Sequence, residues 1–194
     1  MQDPRRFARF ARVRRATPAA CLSKGGLRVS DDPAPRTIYD MYGFPKAFCE
    51  VAYPAPGAPG FAGLVKRLLG DAVTLDRTRG LDHGTWSVLC RMYPEADIPV
   101  FQLSVDGLAS PEAHAATGRA LRALREQGVL IFGSGNVVHN LARVNWAMPE
   151  SGYPWAEEFD LYIKNAVLGR QHEKVVGYRQ AGHRRRSRFP RSTT

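Results

Sequence analysis

The chain has 194 residues, 44% of them hydrophobic, which is enough to bury the core of one ordinary domain. No apolar run is long enough to cross a bilayer, and the Arg-rich N-terminus lacks the apolar stretch of a secretory signal, so we expect neither a membrane span nor secretion. The three cysteines, Cys21, Cys49 and Cys90, are too scattered for a disulfide framework or a zinc finger, and a cytoplasmic location is therefore expected.

The formal net charge of +10 is concentrated at the two ends of the chain. Residues 1–20 hold six arginines and one aspartate, residues 181–194 hold five arginines and no acid, and residues 21–180 are formally neutral. We predict disordered basic tails at 1–20 and 181–194 around a folded body at 21–180. The neutral body does not favour nucleic acid binding, although tethering to nucleic acid through the Arg-rich tails remains an alternative function.

The first predicted elements are a helix and a strand. Apolar residues repeat at helical spacing from Phe61 to Leu69, which indicates an amphipathic helix. Residues 98–105 are apolar and rich in β-forming residues, which is typical of a buried strand.

A second helix, a strand and a third helix follow. Residues 111–127 are predicted to be helical, because Ser110 can cap the N-terminus and Gly128 can end the helix. The apolar run at 129–132 predicts another strand, and residues 154–168 predict a helix with Trp155, Phe159, Tyr162 and Ile163 on its apolar side. We therefore expect a single α/β domain with a central mixed sheet flanked by helices.

Two histidines lie beside glycine-rich backbone, which can approach a small ligand closely. His83 lies between Asp82 and Gly84, and His139 follows a Gly-Ser-Gly turn at 133–135. The strand before that turn would place His139 near the start of the next helix, at the sheet edge where ligands bind in α/β proteins. An imidazole can exchange a proton near neutral pH, but either histidine could instead have a purely structural role.

The remaining candidates give weaker signals. We expect His114, His172 and His183 to be structural or exposed. The aromatic loops at 39–45 and 53–57 could line a pocket for an aromatic ring or simply pack against the core. The glycine turn at 133–135 matches neither a phosphate-binding fingerprint nor a serine nucleophile elbow.

Five sequence blocks, in order along the chain, resemble those of the class III extradiol ring-cleavage dioxygenases, in the branch of the DOPA dioxygenases. The blocks are TIYDMYGFP at 37–45, YPAPG at 53–57, LDHGTW at 81–86, MYPEADIP at 92–99 and SGNVVHNL at 134–141. YPWA at 153–156 continues the match, which covers residues 22–180. Because five ordered blocks are more specific than any one motif, the chain is identified as a member of this family.

The resemblance implies an enzyme that opens a catechol ring, such as that of DOPA, with O2 at a non-haem ferrous iron, with zinc reported in its place for some members. Substrate and O2 share the open positions of such a metal, and a histidine base assists. By position, His139 corresponds to the family's metal-binding and catalytic histidine in the His-Asn motif. His83 corresponds to the catalytic histidine of the Asp-His-Gly motif, which would orient substrate or oxygen.

The chain departs from the family pattern at both ends. The family has histidine ligands in an N-terminal His-Gly motif and in a Ser-Ala-His-Trp segment, whereas this chain has no histidine before His83 and has Ala20 at the second position. A C-terminal Pro-Thr-x-Glu-His-type segment also has no counterpart before Thr194. We therefore expect an altered or truncated member with weak or absent turnover. The alternative is an inactive member that binds small aromatics, and a homodimer is one way to cover sheet surface left by missing strands.

Overall fold

The computed structural model of the chain describes residues 15–23, 25–40, 46, 50–138, 145, 147 and 150–179, with the backbone alone for residues 15–22. Spatial contacts divide the chain into two compact units, residues 1–135 and residues 136–194. The division falls within residues 21–180, which the sequence predicts as one folded body.

A five-stranded mixed sheet is the framework of the first unit. Its strands are β1 (Arg15–Ser23), β2 (Leu27–Ser30), β3 (Val73–Asp76), β4 (Leu103–Asp106) and β5 (Val129–Phe132). Their order across the sheet is β3-β2-β4-β1-β5. Strand β1 runs parallel to β4 and β5, β2 runs parallel to β3, and the two sets meet where Val29 of β2 pairs antiparallel with Leu103 of β4.

Helices connect these strands. They are α1 (Pro59–Leu69), α2 (His83–Met92) and α3 (Pro111–Ala120), and 3₁₀ turns at Gly70–Ala72 and Leu121–Gln127 follow α1 and α3. The predicted α/β fold with a mixed sheet flanked by helices is confirmed. The helical spacing that begins at Phe61 corresponds to α1, which buries Ala62 and Val65 completely.

Two hydrophobic clusters form the core of the first unit. The first cluster packs α1 and the 3₁₀ turn after α3 against the sheet. Its buried members are Leu27, Val29, Ala58, Ala62, Val65, Val73, Phe101, Leu121, Leu124 and Val129. The second cluster surrounds α2, and its buried members are Tyr53, Ala55, Leu81, Trp86, Leu89, Ala96 and Val100. Because burial of apolar surface is the main favourable term in folding, the second cluster gives the start of α2 a rigid support.

The strand predicted at 98–105 is shorter in the structure, because β4 begins only at Leu103. The backbone N–H of Val100 donates to the carbonyl oxygen of Pro56, and the N–H of Gln102 donates to the Ser30 hydroxyl oxygen. These two N–H groups therefore do not form backbone hydrogen bonds with the neighbouring strands of the sheet. Pro99 has no N–H and cannot donate at all. Residues 100–102 are buried, but the segment 98–102 has no regular strand, only an isolated bridge between Val100 and Gly57.

Strand β1 begins at Arg15, inside the segment 1–20 that composition assigns to a disordered tail. It lies between β4 and β5, with Ala19 opposite Leu103 and Arg15 opposite Val129. The high arginine content of residues 1–20 predicts disorder, although residues 15–20 pair in the sheet.

The capping signals around α3 are confirmed. Ser110 caps the helix, since its hydroxyl accepts the Ala113 N–H at 3.2 Å. Gly128 ends the 3₁₀ turn in the left-handed conformation, at φ 75°, which glycine adopts without steric cost. Strand β5 then occupies the predicted residues 129–132. The predicted helix 111–127 is correct in position, but its second half is 3₁₀ and not α.

The second unit contains helices α4 (Pro154–Leu168) and α5 (His172–Val176). Helix α4 has the predicted bounds, and the four aromatic and aliphatic residues predicted on its apolar side are half-buried. The Tyr162 hydroxyl donates to the Lys174 carbonyl oxygen at 3.1 Å, which joins the two helices. Within the described ranges, no helix has the length and apolar character needed to cross a membrane.

Candidate active site

The first turn of α2 is fixed by a buried aspartate. The Asp82 carboxylate caps the helix by accepting the backbone N–H of Thr85 at 3.2 Å and its hydroxyl at 3.1 Å. The Asp82 backbone N–H donates to the side-chain oxygen of Gln102 at 3.1 Å, just before β4 begins. Since Asp82 is only 2% exposed, these bonds anchor the start of the helix to the sheet.

His83 is the first residue of α2, and its side chain is 49% exposed. Its ring nitrogen Nδ1 lies 2.7 Å from Oδ1 of Asp40, and its backbone N–H donates to the same oxygen at 3.1 Å. Two atoms of His83 thus contact one carboxylate oxygen, which restricts the ring. In the part of the chain that the structure describes, Nε2 has no hydrogen-bond partner. Nε2 is the ring atom that can act on a bound molecule.

Arg79 links the two aspartates of this site. Its Nη2 lies 3.4 Å from Oδ2 of Asp40 and 3.3 Å from Oδ2 of Asp82. The guanidinium is about one-third exposed, so each ion pair is partly screened by solvent. The arrangement therefore contributes more to the orientation of Asp40 than to stability.

The pKa of Asp40 reflects two opposing effects. Burial raises the pKa, but the hydrogen bonds from the ring and backbone of His83, together with its charge, outweigh burial. The net pKa lies below the ordinary value of 3.8, so Asp40 is an ionised carboxylate near neutral pH. An ionised carboxylate can only accept hydrogen bonds.

Backbone pairing places Asp40 beside His83. The Ile38 N–H donates to the Leu81 carbonyl oxygen at 2.9 Å, and the Leu81 N–H donates to the Arg36 carbonyl oxygen at 2.8 Å. The indole Nε1 of Trp86 also donates to the Ile38 carbonyl oxygen, at 3.0 Å. Asp40 follows this paired segment by two residues, so the segment fixes the position of its carboxylate.

The aromatic residues near the site divide into two kinds. Tyr39 is 40% exposed, and its ring meets the buried Trp86 edge-on at a centroid distance of 6.1 Å. Tyr53 is buried and its hydroxyl donates to the Tyr93 carbonyl oxygen at 3.0 Å, and burial raises the pKa of Tyr53 to about 12. Tyr53 therefore belongs to the core, whereas Tyr39 presents an aromatic surface next to Asp40.

His139 and its neighbour Asn140 lie outside the described residues, so the structure places only one of the two predicted site histidines. The glycine turn at 133–135 is described and follows β5 as predicted. His172 is exposed, and His114 is half-buried in α3. His183 also lies outside the described residues.

The residues described do not supply a metal centre. Among them, no group of three or more His, Cys, Asp or Glu side chains is placed to hold a metal ion. Ala20, which stands where the resemblance predicts a histidine ligand, lies within β1 between the pairs Ala19–Leu103 and Leu22–Val105. The described side chains therefore do not form a facial ligand set.

Sequence reasoning missed the partners of His83. Asp40 and Arg79 were not predicted to contribute, although Arg79 and Asp82 have the i, i+3 spacing of a local ion pair. Asp40 is 43 residues from His83 in sequence, so no local spacing indicates their contact.

Comparisons with known proteins identify the family of the chain. The family model of the catalytic LigB subunit of aromatic ring-opening dioxygenase matches residues 29–188. An Escherichia coli (strain K12) protein named 4,5-DOPA dioxygenase extradiol is 48% identical over 141 residues, which are 72% of this chain and 52% of that protein. A Beta vulgaris protein of the same name is 43% identical over 148 residues, 73% of this chain and 54% of its own length.

A solved structure is similar to the chain in both fold and sequence. The crystal structure of an uncharacterized protein from Escherichia coli K12 superposes with a TM-score of 0.68 at 39% identity, and covers 85% of this chain and 64% of that one. The chain thus spans about half the length of the curated relatives it matches. Since the family model covers most of the chain, the protein belongs to the family of the catalytic LigB subunit of aromatic ring-opening dioxygenases.

Proposed function

We propose that the protein acts in the extradiol cleavage of an aromatic ring by O2, with a catechol such as DOPA as substrate. The observation that carries the proposal is the Asp-His-Gly motif, which presents His83 half-exposed at the start of α2 and paired with an ionised carboxylate. The relatives named 4,5-DOPA dioxygenase extradiol support the substrate class.

The role proposed for His83 is proton exchange with the substrate. With the proton on Nδ1 directed to Asp40, the neutral ring has an available lone pair on Nε2. Nε2 can accept the proton of a phenolic hydroxyl and later return it to an oxygen of the product. The Asp40 carboxylate would hold the ring in place during both steps through its contact with Nδ1.

The metal proposed for the family chemistry is ferrous iron, with zinc as the alternative, and His139 is its proposed ligand and a catalytic residue. When bound, a ferrous ion would supply the site at which catechol and O2 meet. The described residues provide no group of three ligands, so the contribution proposed for them is proton transfer and substrate orientation.

Activity after anaerobic loading with ferrous iron tests the proposal. Purified protein is mixed with DOPA or catechol in air, and O2 uptake is followed together with the absorbance of the yellow ring-cleavage product. We expect only weak product formation, since Ala20 stands where the resemblance predicts a histidine ligand. His83→Gln should lower kcat by about 100-fold or more, as expected for loss of a general acid–base group.

The matched control is His114→Gln, which removes a half-buried histidine of α3 and should keep the wild-type rate. Soluble, folded protein that binds DOPA but consumes no O2 would overturn the proposal in favour of an inactive member that binds small aromatics. Equal rates for His83→Gln and the wild type would overturn the role of His83.

A further inference from the structure

We infer that Asp40 is the positioning residue of His83, which holds the imidazole as the tautomer with its proton on Nδ1 and keeps Nε2 free to exchange protons. The importance of Nε2 rests on the proposed function, but the tautomer itself is a property of the protein alone. In neutral imidazole the hydrogen bond made by one ring nitrogen decides which nitrogen carries the proton.

The geometry around Asp40 favours this role over an incidental contact. Oδ1 of Asp40 lies 2.7 Å from Nδ1 of His83 and accepts the His83 backbone N–H at 3.1 Å. The ring is therefore held close to its own backbone through a single oxygen, which limits its rotation. A distance of 2.7 Å is at the short end for such bonds, as expected when the acceptor is charged.

Asp40 is itself restrained by a chain of contacts that leads to the sheet. Its second oxygen, Oδ2, lies 3.4 Å from Nη2 of Arg79, and the same nitrogen lies 3.3 Å from the buried Asp82 carboxylate. Asp82 is bound through its backbone to Gln102. The carboxylate is thus placed before any substrate binds, as a positioning group requires.

Three charged side chains are linked to the His83 ring, Asp40 directly and Arg79 and Asp82 through it. Asp40 lies in the segment between β2 and α1, whereas Arg79 and Asp82 lie in the loop that leads into α2. Arg79 is paired with both aspartates and offsets part of their negative charge. The group that contacts a ring nitrogen of His83 directly is Asp40, and we infer that this contact decides which nitrogen carries the proton.

A purely structural role for Asp40 makes a different prediction. If Asp40 only attached residues 36–40 to α2, its removal would lower stability but would leave the ring proton of His83 distributed as before. A positioning role requires the tautomer to change in protein that remains folded.

The test is ¹⁵N NMR of the histidine rings in the metal-free protein at a pH where the rings are neutral. The His83 signals are assigned by their absence in His83→Gln, and folding is checked by circular dichroism. We expect the wild type to carry the proton on Nδ1, and Asp40→Ala to carry it mainly on Nε2. Asp40→Glu keeps a carboxylate and should restore part of the Nδ1 form.

The control is Asp71→Ala, which removes an exposed carboxylate paired with Lys66 and should leave the His83 signals unchanged. A wild-type ring with its proton on Nε2, or an Asp40→Ala ring that keeps it on Nδ1, would overturn the inference. If Asp40→Ala does not fold, the wild-type spectrum and Asp40→Glu still decide the outcome.

Kinetics separate this inference from the proposed function. In iron-loaded protein, Asp40→Ala should lower kcat by about 10- to 100-fold, within the loss expected for His83→Gln, and should leave KM nearly unchanged. If the wild type shows no turnover, the proposed function fails. The NMR measurement on metal-free protein would still decide whether Asp40 sets the tautomer of His83.

Discussion

Gly80 packs directly against the backbone carbonyl oxygen of Arg36, and a Cβ at position 80 would overlap that oxygen. The close approach exists because Leu81 donates its N–H to the same carbonyl, which pairs the segment before Asp40 with the loop before α2. The absence of a side chain at Gly80 therefore allows the two segments that carry Asp40 and His83 to meet.

Gly80→Ala should destabilise the protein. The added methyl group must move backbone, and overpacking of this kind costs about 1–3 kcal/mol. Urea unfolding followed by circular dichroism measures the change in the free energy of unfolding. The matched control is Gly118→Ala in α3, where a Cβ would meet nothing within 4 Å, and where alanine should stabilise the helix by about 0.5–1 kcal/mol. Equal effects of the two substitutions would contradict the role assigned to Gly80.

Asp82→Ala should cost more stability than the loss of an ordinary helix cap. Asp82 is buried, caps α2 through Thr85 and pairs with Arg79, so its removal leaves several groups unsatisfied. We expect a loss of about 2 kcal/mol or more in the free energy of unfolding. Ser110→Ala, which removes only the cap of α3, should cost about 1 kcal/mol in the same measurement. A larger effect at Ser110 would show that the buried contacts of Asp82 contribute little.

Stability should fall as the pH is lowered below about 4. The Thr78 hydroxyl, at 2.6 Å, is the largest cause of the lowered pKa of Asp76, and burial opposes it. The pKa of Asp40 is also lowered, because its bonds to His83 outweigh the effect of burial. Both pKa values lie below the unfolded value of 3.8, so the unfolded chain takes up protons first as the pH falls.

The stability contributed by these carboxylates is therefore present above pH 3.8 and is lost as the pH falls through the folded pKa values. Unfolding free energies between pH 7 and pH 3 measure this loss. Asp76→Asn should give a shallower decline than the wild type, and Thr78→Val should give an intermediate one. A decline unaffected by Asp76→Asn would contradict the assignment.

Local signals in the sequence predict α1, α3 and α4, whereas α2 and α5 are not predicted. The spacing from Phe61 to Leu69, the cap at Ser110 and the end at Gly128 each depend on neighbouring residues, and α1, α3 and β5 follow them. Strands β2 and β3 have four residues each, as β5 does, but they alternate apolar and polar residues and lack the continuous apolar run that predicts β5. The order of the sheet depends on pairing between distant segments, such as Val29 with Leu103, and composition cannot show it.

The candidate site is predictable only in part, because it too depends on contacts between segments that are distant in sequence. The glycine next to His83 is a local signal, and it identified one member of the site. Asp40 becomes a partner of His83 only because residues 36–38 pair with Leu81 in the folded chain. His139 lies outside the described residues, and its predicted role remains a proposal.

Trp86→Phe should loosen the segment that carries Asp40. Trp86 is buried, and its Nε1 donates to the Ile38 carbonyl oxygen at 3.0 Å, two residues before Asp40. Phenylalanine keeps much of the packing but leaves the carbonyl without this donor, and we expect a loss of about 1–3 kcal/mol in the free energy of unfolding.

Trp155→Phe provides the control, because Trp155 is only half-buried at the start of α4 and stacks on Tyr153. Its effect on unfolding should stay within about 0.5 kcal/mol. In the NMR measurement on folded Trp86→Phe, the His83 ring should show a mixture of the two tautomers, since Asp40 would be held less firmly. A wild-type tautomer together with wild-type stability would show that Trp86 does not support the site.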